Sequence, residues 1–288
     1  MPRIAYVNGT YVPLREAAVS IEDRGYLFAD AVYEVWSVFD GLLADLDGHL
    51  NRLERSLREL KIDMPMPPSS LLVVLTEVIR RNNIREGMVY LQISRGAAPR
   101  DHVFPVGVKP AVVITAKPVD RYAAARKAEA GIKAITAPDI RWGRCDIKTV
   151  GLLPNVLAKQ AAKEQGAGEV IFFDRDNCVT EGGSTNVYIV GKDNVIRTRS
   201  LAANILAGVT RLNLIGVADQ AGLQIDEQPF TVDEMKAARE VFVTAATSLV
   251  LPVVMIDDTM IGDGAPGPVA SSLRELYIDH ARATAGTW

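Results

Sequence analysis

The stretch Ala31-Val32-Tyr33-Glu34-Val35-Trp36-Ser37-Val38-Phe39-Asp40-Gly41-Leu42-Leu43-Ala44-Asp45 decides the fold class. Its first nine residues are rich in β-branched and aromatic side chains, which suit a strand. Asp40-Gly41 then offers a hairpin turn into residues 42–45. Directly afterwards Leu46, Leu50, Leu53, Leu57 and Leu60 recur at helical spacing, until Met64-Pro65-Met66-Pro67-Pro68 breaks the pattern. Working outward, residues 4–12 predict a hairpin around Asn8-Gly9, and Ser69 or Ser70 can cap a helix over 71–82. Residues 88–94 and 111–116 read as strands. Strands, two helices and strands again make this part α+β.

Residues 119–130 turn polar and Ala-rich, and we read them as a linker between an N-terminal domain (1–118) and a C-terminal domain (131–288). An Ala/Arg/Lys run of this kind also suits a short surface helix. The second part predicts strands at 132–136, 169–174, 186–190 and 241–245, and helices at 152–165, 209–221 and 269–284.

Composition narrows the function classes. The 288 residues are 48% hydrophobic with a formal net charge of −3 and no Lys/Arg block, which argues against nucleic acid and anionic membranes as partners. No stretch has the length and apolarity of a membrane span, and residues 1–13 lack the apolar centre of a signal peptide. Cys145 and Cys178 form no metal-ligand spacing and are too few for a disulfide framework. The expectation is a cytoplasmic protein with reduced thiols and no metal.

Several local clusters mix glycine, charge and hydroxyls beyond what a packed core requires. Each also has a plain structural reading. Lys148, in Arg141-Trp142-Gly143-Arg144-Cys145-Asp146-Ile147-Lys148-Thr149, can be a surface lysine or a Schiff-base lysine whose amine Arg141 and Arg144 make less basic. Glu181, in Val179-Thr180-Glu181-Gly182-Gly183-Ser184-Thr185-Asn186, can sit in a polar turn between two strands. It can equally be a carboxylate held on a tight loop to pair with a protonated pyridine nitrogen. Gly208-Val209-Thr210-Arg211 opens a helix, whose amides and dipole can seat a phosphate. Arg95-Gly96-Ala97-Ala98-Pro99-Arg100-Asp101-His102 can be a charged loop, or one in which Arg100 and His102 grip a carboxylate. His49 and Arg52, three apart, share a helix face.

The order and wording of these segments resemble the fold-type-IV aminotransferases, and within them the D-amino acid aminotransferases. The resemblance rests on Glu22-Asp23-Arg24-Gly25-Tyr26, Asp30-Ala31-Val32-Tyr33-Glu34-Val35, His49-Leu50-Asn51-Arg52-Leu53, residues 95–105, residues 141–148, Leu157-Ala158-Lys159-Gln160, Thr180-Glu181-Gly182 and Leu206-Ala207-Gly208-Val209-Thr210-Arg211. It implies an α+β, two-domain fold with a smaller N-terminal domain and a larger C-terminal domain built on a β-barrel-like core. It implies pyridoxal 5'-phosphate as cofactor, with Lys148 as the lysine of the internal aldimine and Glu181 as the partner of the ring nitrogen. Leu206 would lie against the ring. Arg52, Val209, Thr210 and the Ala246 amide would hold the phosphate, and Tyr33, Arg100 and His102 the substrate carboxylate. Relatives often carry hydroxyls where this chain has Ala245 and Ala246.

The resemblance further implies a homodimer in which the Arg100–His102 loop reaches the partner's site, and transamination between a D-amino acid such as D-alanine and a 2-oxo acid such as 2-oxoglutarate. Its alternatives are an enzyme of the same fold acting on branched-chain L-amino acids or (R)-amines, an aminodeoxychorismate lyase, a non-catalytic cofactor-binding protein, and a dimerisation protein without ligand. The Tyr33, Arg100 and His102 set speaks against a simple amine substrate. The presence of both Lys148 and Glu181 speaks against binding without catalysis.

Overall fold

The computed structural model describes residues 3–201 and 204–286. The chain divides into two compact units, Met1–Asp120 with Ile147–Gly151 and Thr284–Trp288, and Arg121–Asp146 with Leu152–Ala283.

In the first unit β1 (Ile4–Val7) and β2 (Thr10–Pro13) form the expected hairpin, and Asn8 and Gly9 at its tip both take positive φ, 47° and 97°. A short 3-10 turn and α1 (Arg24–Phe28) lead into β3 (Ala31–Phe39) and β4 (Leu42–Leu43). Helices α2 (Leu46–Glu59) and α3 (Pro68–Arg81) follow, then β5 (Gly87–Ser94) and β6 (Ala111–Pro118). The strands pair antiparallel in the order β2-β1-β6-β5-β3-β4. Alternate residues of β3 and β5 (Val32, Trp36, Val89, Leu91, Ile93) pack with Leu53 and Leu57 of α2 and Leu71 and Leu75 of α3 in one core. Period-2 strands meeting period-3.6 helices place the core on one face of the sheet. Neither Ser69 nor Ser70 caps α3: Pro67 is the N-cap and no side chain closes the first turn. Pro68 takes the first helical position, where its fixed φ fits and its missing N–H costs nothing.

The segment Ile147–Gly151 runs beside the start of β3. Tyr33 N–H donates to the Lys148 carbonyl (3.0 Å), Val150 N–H donates to the Ala31 carbonyl (3.2 Å), and Ile147 enters the core.

The second unit holds α4 (Arg121–Ala130), β7 (Ile132–Pro138), α5 (Leu153–Glu164), β8 (Glu169–Phe173), β9 (Val179–Gly182), β10 (Asn186–Val190) and β11 (Ile196–Thr198). It continues through α6 (Val209–Gln220), β12 (Ile225–Glu227), α7 (Val232–Lys236), β13 (Glu240–Ala245), β14 (Leu249–Ile256), β15 (Thr259–Met260) and α8 (Pro268–Ala283). Among the described residues its strands form one sheet in the order β12-β11-β10-β13-β14-β7-β8-β9, with β15 on β14. Pairing is parallel at β14–β7, β7–β8 and β11–β12 and antiparallel elsewhere. The sheet curls as a half-barrel. Arg199, just beyond β11, donates to the Val179 carbonyl at the start of β9 (3.0 Å) and pairs with Asp174 (2.9 Å).

Residues 121–130 take the second of their two readings, a short surface helix: they form α4, in which Ala128 alone is buried. High alanine content makes such a run helical without an apolar stripe to announce it. Glu181 lies on the buried strand β9, not on a loop. Thr-Glu-Gly carries no apolar alternation, and pairing with β8 imposes the extended form.

Candidate active site

In the first unit, strand β3 distributes its side chains by alternation. Tyr33 stacks on Tyr90 (centroids 5.6 Å apart), and Lys148 Nζ lies 4.3 Å from the Tyr33 ring centroid. Burial, with the Tyr33 phenol beside it, pushes the Tyr90 hydroxyl up to about 12, and it donates to Gln92 Oε1 (2.8 Å). Tyr33 and Lys148 are therefore brought together, and Lys148 is half-buried.

On the opposite face Glu34 is fully buried beneath α2. Arg52 grips it through two bonds, Nε to Oε1 (2.8 Å) and Nη2 to Oε2 (2.7 Å), and His49 Nδ1 lies 2.7 Å from Oε2. Burial alone would raise the Glu34 carboxyl. The Arg52 charge and bonds, with those of His49, outweigh it and lower the group to about 2. Burial lowers His49 against the pull of Glu34, so the ring is neutral at pH 7 and donates from Nδ1. The i,i+3 pair on α2 thus meets a carboxylate for which the sequence reading assigned no role.

Arg100 and His102 come together on the loop after β5. The Arg100 guanidinium lies 5.1 Å from the Phe28 ring centroid, and the His102 ring lies 5.5 Å from it. One aromatic ring therefore flanks both groups expected to hold a carboxylate.

In the second unit Glu181 is buried and surrounded by donors. Arg141 Nη1 donates to Oε1, the Leu206 N–H to Oε2 (3.0 Å), and Asn186 Nδ2 lies 3.5 Å from Oε2. Asp139 holds Arg141 in turn through Nε (2.9 Å) and Nη2 (2.6 Å), and Thr180 donates to the same carboxylate (2.8 Å). Burial disfavours the charge on Arg141, but Asp139 and Glu181 outweigh it and raise the guanidinium further. The chain Asp139–Arg141–Glu181 fixes the Glu181 carboxylate in place. Arg141 bonds Asp139 and Glu181, and Arg144 bonds Asp146 (2.9 Å).

Helix α6 opens beside this carboxylate. Gly208 is its N-cap, no side chain caps it, and Val209 and Thr210 are buried. Asn186 also donates to the Leu206 carbonyl (3.0 Å), which ties the approach to α6 to β10. A Cβ at position 208 would meet Asn186 Oδ1 at 2.1 Å, so the close approach requires glycine. Asn186 pairs with Thr244 on β13, and Ala246 stands in the turn that leaves that strand. Glu181, Leu206, Val209, Thr210 and Ala246 are thereby placed around one end of β10 and β13.

Several residues that the sequence did not place in these positions hold the others: Glu34 and His49 hold Arg52, Asp139 and Arg141 hold Glu181, and Asn186 holds Leu206 and Gly208. Their signal is weak, because a buried carboxylate inside a strand pattern reads like any other exception to alternation.

Comparison with known proteins fits this picture. The family model for amino-transferase class IV matches residues 31–256. A D-alanine aminotransferase of Bacillus licheniformis is 43% identical over 267 residues, 93% of each chain. One from Staphylococcus haemolyticus is 42% identical over 273 residues, 94% of this chain and 95% of its own. Among solved structures, a T.th. branched-chain amino acid aminotransferase with pyridoxamine 5'-phosphate has a TM-score of 0.88 at 28% identity, covering 97% of this chain and 94% of its own. An Escherichia coli branched-chain amino acid aminotransferase has a TM-score of 0.88 at 23% identity, covering 100% and 97%, and shares the fold.

The donor set suits the family's cofactor, pyridoxal 5'-phosphate. A buried carboxylate held by a guanidinium matches a protonated ring nitrogen, and a helix start uncapped by side chains and open only to glycine matches a phosphate. With the family model spanning most of its length and these groups in place, the chain belongs to the class IV aminotransferases, which work with pyridoxal 5'-phosphate.

Proposed function

We propose that this enzyme transfers an amino group between a D-amino acid, such as D-alanine, and a 2-oxo acid, such as 2-oxoglutarate. The observation that carries the reading is the placement of Arg100 and His102 on one loop against the Phe28 ring. A guanidinium and an imidazole two residues apart form a grip for a carboxylate, which a simple amine lacks. Identity of 43% to a D-alanine aminotransferase supports the same reading, against 28% to a branched-chain enzyme.

Bound pyridoxal 5'-phosphate supplies an electron sink for the bond broken at the substrate Cα. Val209 and Thr210, with the Ala246 amide and, as the family resemblance implies, Arg52, would hold its phosphate, and Leu206 would lie against its ring. Glu181 would accept a hydrogen bond from the protonated ring nitrogen, and Arg141 holds that carboxylate in place. Arg100, His102 and Tyr33 fix the substrate carboxylate, which sets the direction of the Cα–H bond. Lys148 Nζ would take the Cα proton and deliver it, on the same face, to the cofactor carbon that bears the nitrogen. One fixed substituent and one base on one side account for selection of one enantiomer.

The working unit in this reading is a cytoplasmic homodimer. A solution mass of twice the 31.3 kDa chain is expected, and a fully active monomer would contradict it. To test the substrate assignment, initial rates with 2-oxoglutarate are compared for D-alanine and L-leucine. A preference of more than about a hundredfold for D-alanine, on the order of 3 kcal/mol, is expected. Faster turnover of L-leucine would move the enzyme to the branched-chain reading.

A further inference from the structure

The stretch Glu22–Tyr26 and the carboxylate of Asp30 take no part in the chemistry above, yet they surround the loop that carries Arg100 and His102. The stretch first pairs with the start of that loop. Arg24 N–H donates to the Gly96 carbonyl (2.9 Å), Ala98 N–H to the Glu22 carbonyl (3.2 Å), and Asp23 bridges Ala97. The Asp23 carboxylate caps α1 through Gly25 N–H (2.8 Å) and accepts from Ser94 Oγ (2.7 Å). No side chain fits at position 25, where a Cβ would stand 2.9 Å from Asp23 Oδ1 and 3.0 Å from Ser94 Cβ.

The buried Arg24 side chain then reaches the middle of the loop. Nη1 donates to the Asp101 carbonyl (2.5 Å), and Nη2 lies 3.4 Å from the His102 carbonyl. Nε donates to Asp30 (2.8 Å). Asp30 is shared: Arg95 also grips it through Nε (2.7 Å) and Nη2 (2.9 Å), donates to the Leu60 and Lys61 carbonyls (2.7 and 2.8 Å), and stacks 3.6 Å from the Phe104 ring centroid. Burial would raise the Asp30 carboxyl, but the bonds and charges of Arg95 and Arg24 hold it below its ordinary value. Phe28, on the same helix as Arg24, has three polar groups around its ring: Arg24 at 4.8 Å, Arg100 at 5.1 Å and the His102 ring at 5.5 Å.

Residues 100–104 are exposed or nearly so and have no regular structure, so their backbone would otherwise sample many conformations. A buried guanidinium bonded to the carbonyls at 101 and 102 fixes the two peptide planes that aim the His102 side chain and set its offset from Arg100. We propose that Arg24, anchored by Asp30, is a positioning residue for substrate-carboxylate recognition: it acts through the Arg100–His102 loop and touches neither substrate nor cofactor. The inference rests on the reading of Arg100 and His102 as the carboxylate grip.

The test uses holoenzyme carrying R24M, which keeps side-chain length and leaves the Asp30–Arg95 pair intact, and the double variant R100A/H102A with and without R24M. KM and kcat for D-alanine and 2-oxoglutarate are measured beside the bound-cofactor absorbance. R24M is expected to raise both KM values about tenfold, the effect of losing one charge-assisted contact, with kcat and bound cofactor little changed. In the R100A/H102A background it adds less than about twofold, because the groups it positions are gone. A KM within about twofold of wild type, or the same rise in both backgrounds, overturns the proposal. A lower kcat and cofactor content at unchanged KM indicates a role in folding alone and overturns it too. R24K retains charge beside Asp30 but cannot serve both carbonyls, so a KM at least about threefold above wild type is expected even where R24M folds poorly. A wild-type KM for R24K contradicts the proposal. If R100A/H102A itself leaves KM unchanged, the carboxylate grip is wrong, and that failure is distinguishable from failure of Arg24.

Discussion

Lys148 Nζ, over the Tyr33 ring, is the group on which the proposed proton transfer depends. Lys148→Ala should lower turnover by at least about a thousandfold while the fold persists, since the side chain is half-buried and fills no core position. Single-turnover transamination at a near-normal rate in that variant would remove the assignment. At this scale the sequence is informative where a residue's type is unusual for its surroundings. A lysine among arginines and glycines and a glutamate before Gly-Gly stand out from plain core or loop. Arg24, Asp30, Asp139 and Asn186 do not stand out, because what they do depends on partners distant along the chain. Asp30 meets Arg95 across 65 residues and Arg141 meets Glu181 across 40. No local pattern encodes such pairs.

Between elements, the packing of α2 on β3 places a carboxylate, a neutral histidine and a guanidinium in a buried cluster. The folded-state values of Glu34 and His49 both lie below their unfolded ones, Glu34 at about 2. Each therefore binds fewer protons folded than unfolded, and its stability contribution, present above the unfolded value, is lost as pH falls. Urea midpoints should decline below about pH 6.5 as His49 charges in the unfolded chain, and more steeply below about 4.5 as Glu34 follows. His49→Gln should remove the upper part of that decline, up to about 1.4 kcal/mol per pH unit; an unchanged profile would show that His49 titrates alike in both states. At the start of α6, Gly208→Ala drives a Cβ against Asn186 Oδ1 at 2.1 Å. It should cost on the order of 1–3 kcal/mol and weaken cofactor binding, read by thermal melts and cofactor titration. A variant with wild-type cofactor affinity would place the phosphate elsewhere. Elements with a clear period, such as α2, β3 and β10, are legible from sequence to within a residue or two. β14 is not, because Pro252 interrupts it, yet its partners β13 and β7 keep it extended, with an irregular register near Val253. The helix α4 and the strand β9 are obscured for the opposite reason: their residues carry little apolar periodicity, and neighbours decide their form.

For the whole molecule, α+β architecture follows from the order of strands and helices alone. The curled second sheet depends on pairings between distant strands. Lys148 and the rest of Ile147–Gly151 belong by packing to the first unit although the stretches on either side, Arg121–Asp146 and Leu152–Ala283, belong to the second, which no linear reading of domain boundaries shows. The proposed enzyme carries its cofactor on Lys148 and takes a substrate of one handedness. The absorption spectrum of the purified holoenzyme, recorded before and after addition of D-alanine and separately of L-alanine, tests both at once. The yellow band of the bound cofactor should bleach with D-alanine and persist with L-alanine. Bleaching with L-alanine alone would contradict the substrate assignment, and no band after reconstitution with pyridoxal 5'-phosphate would contradict the site itself.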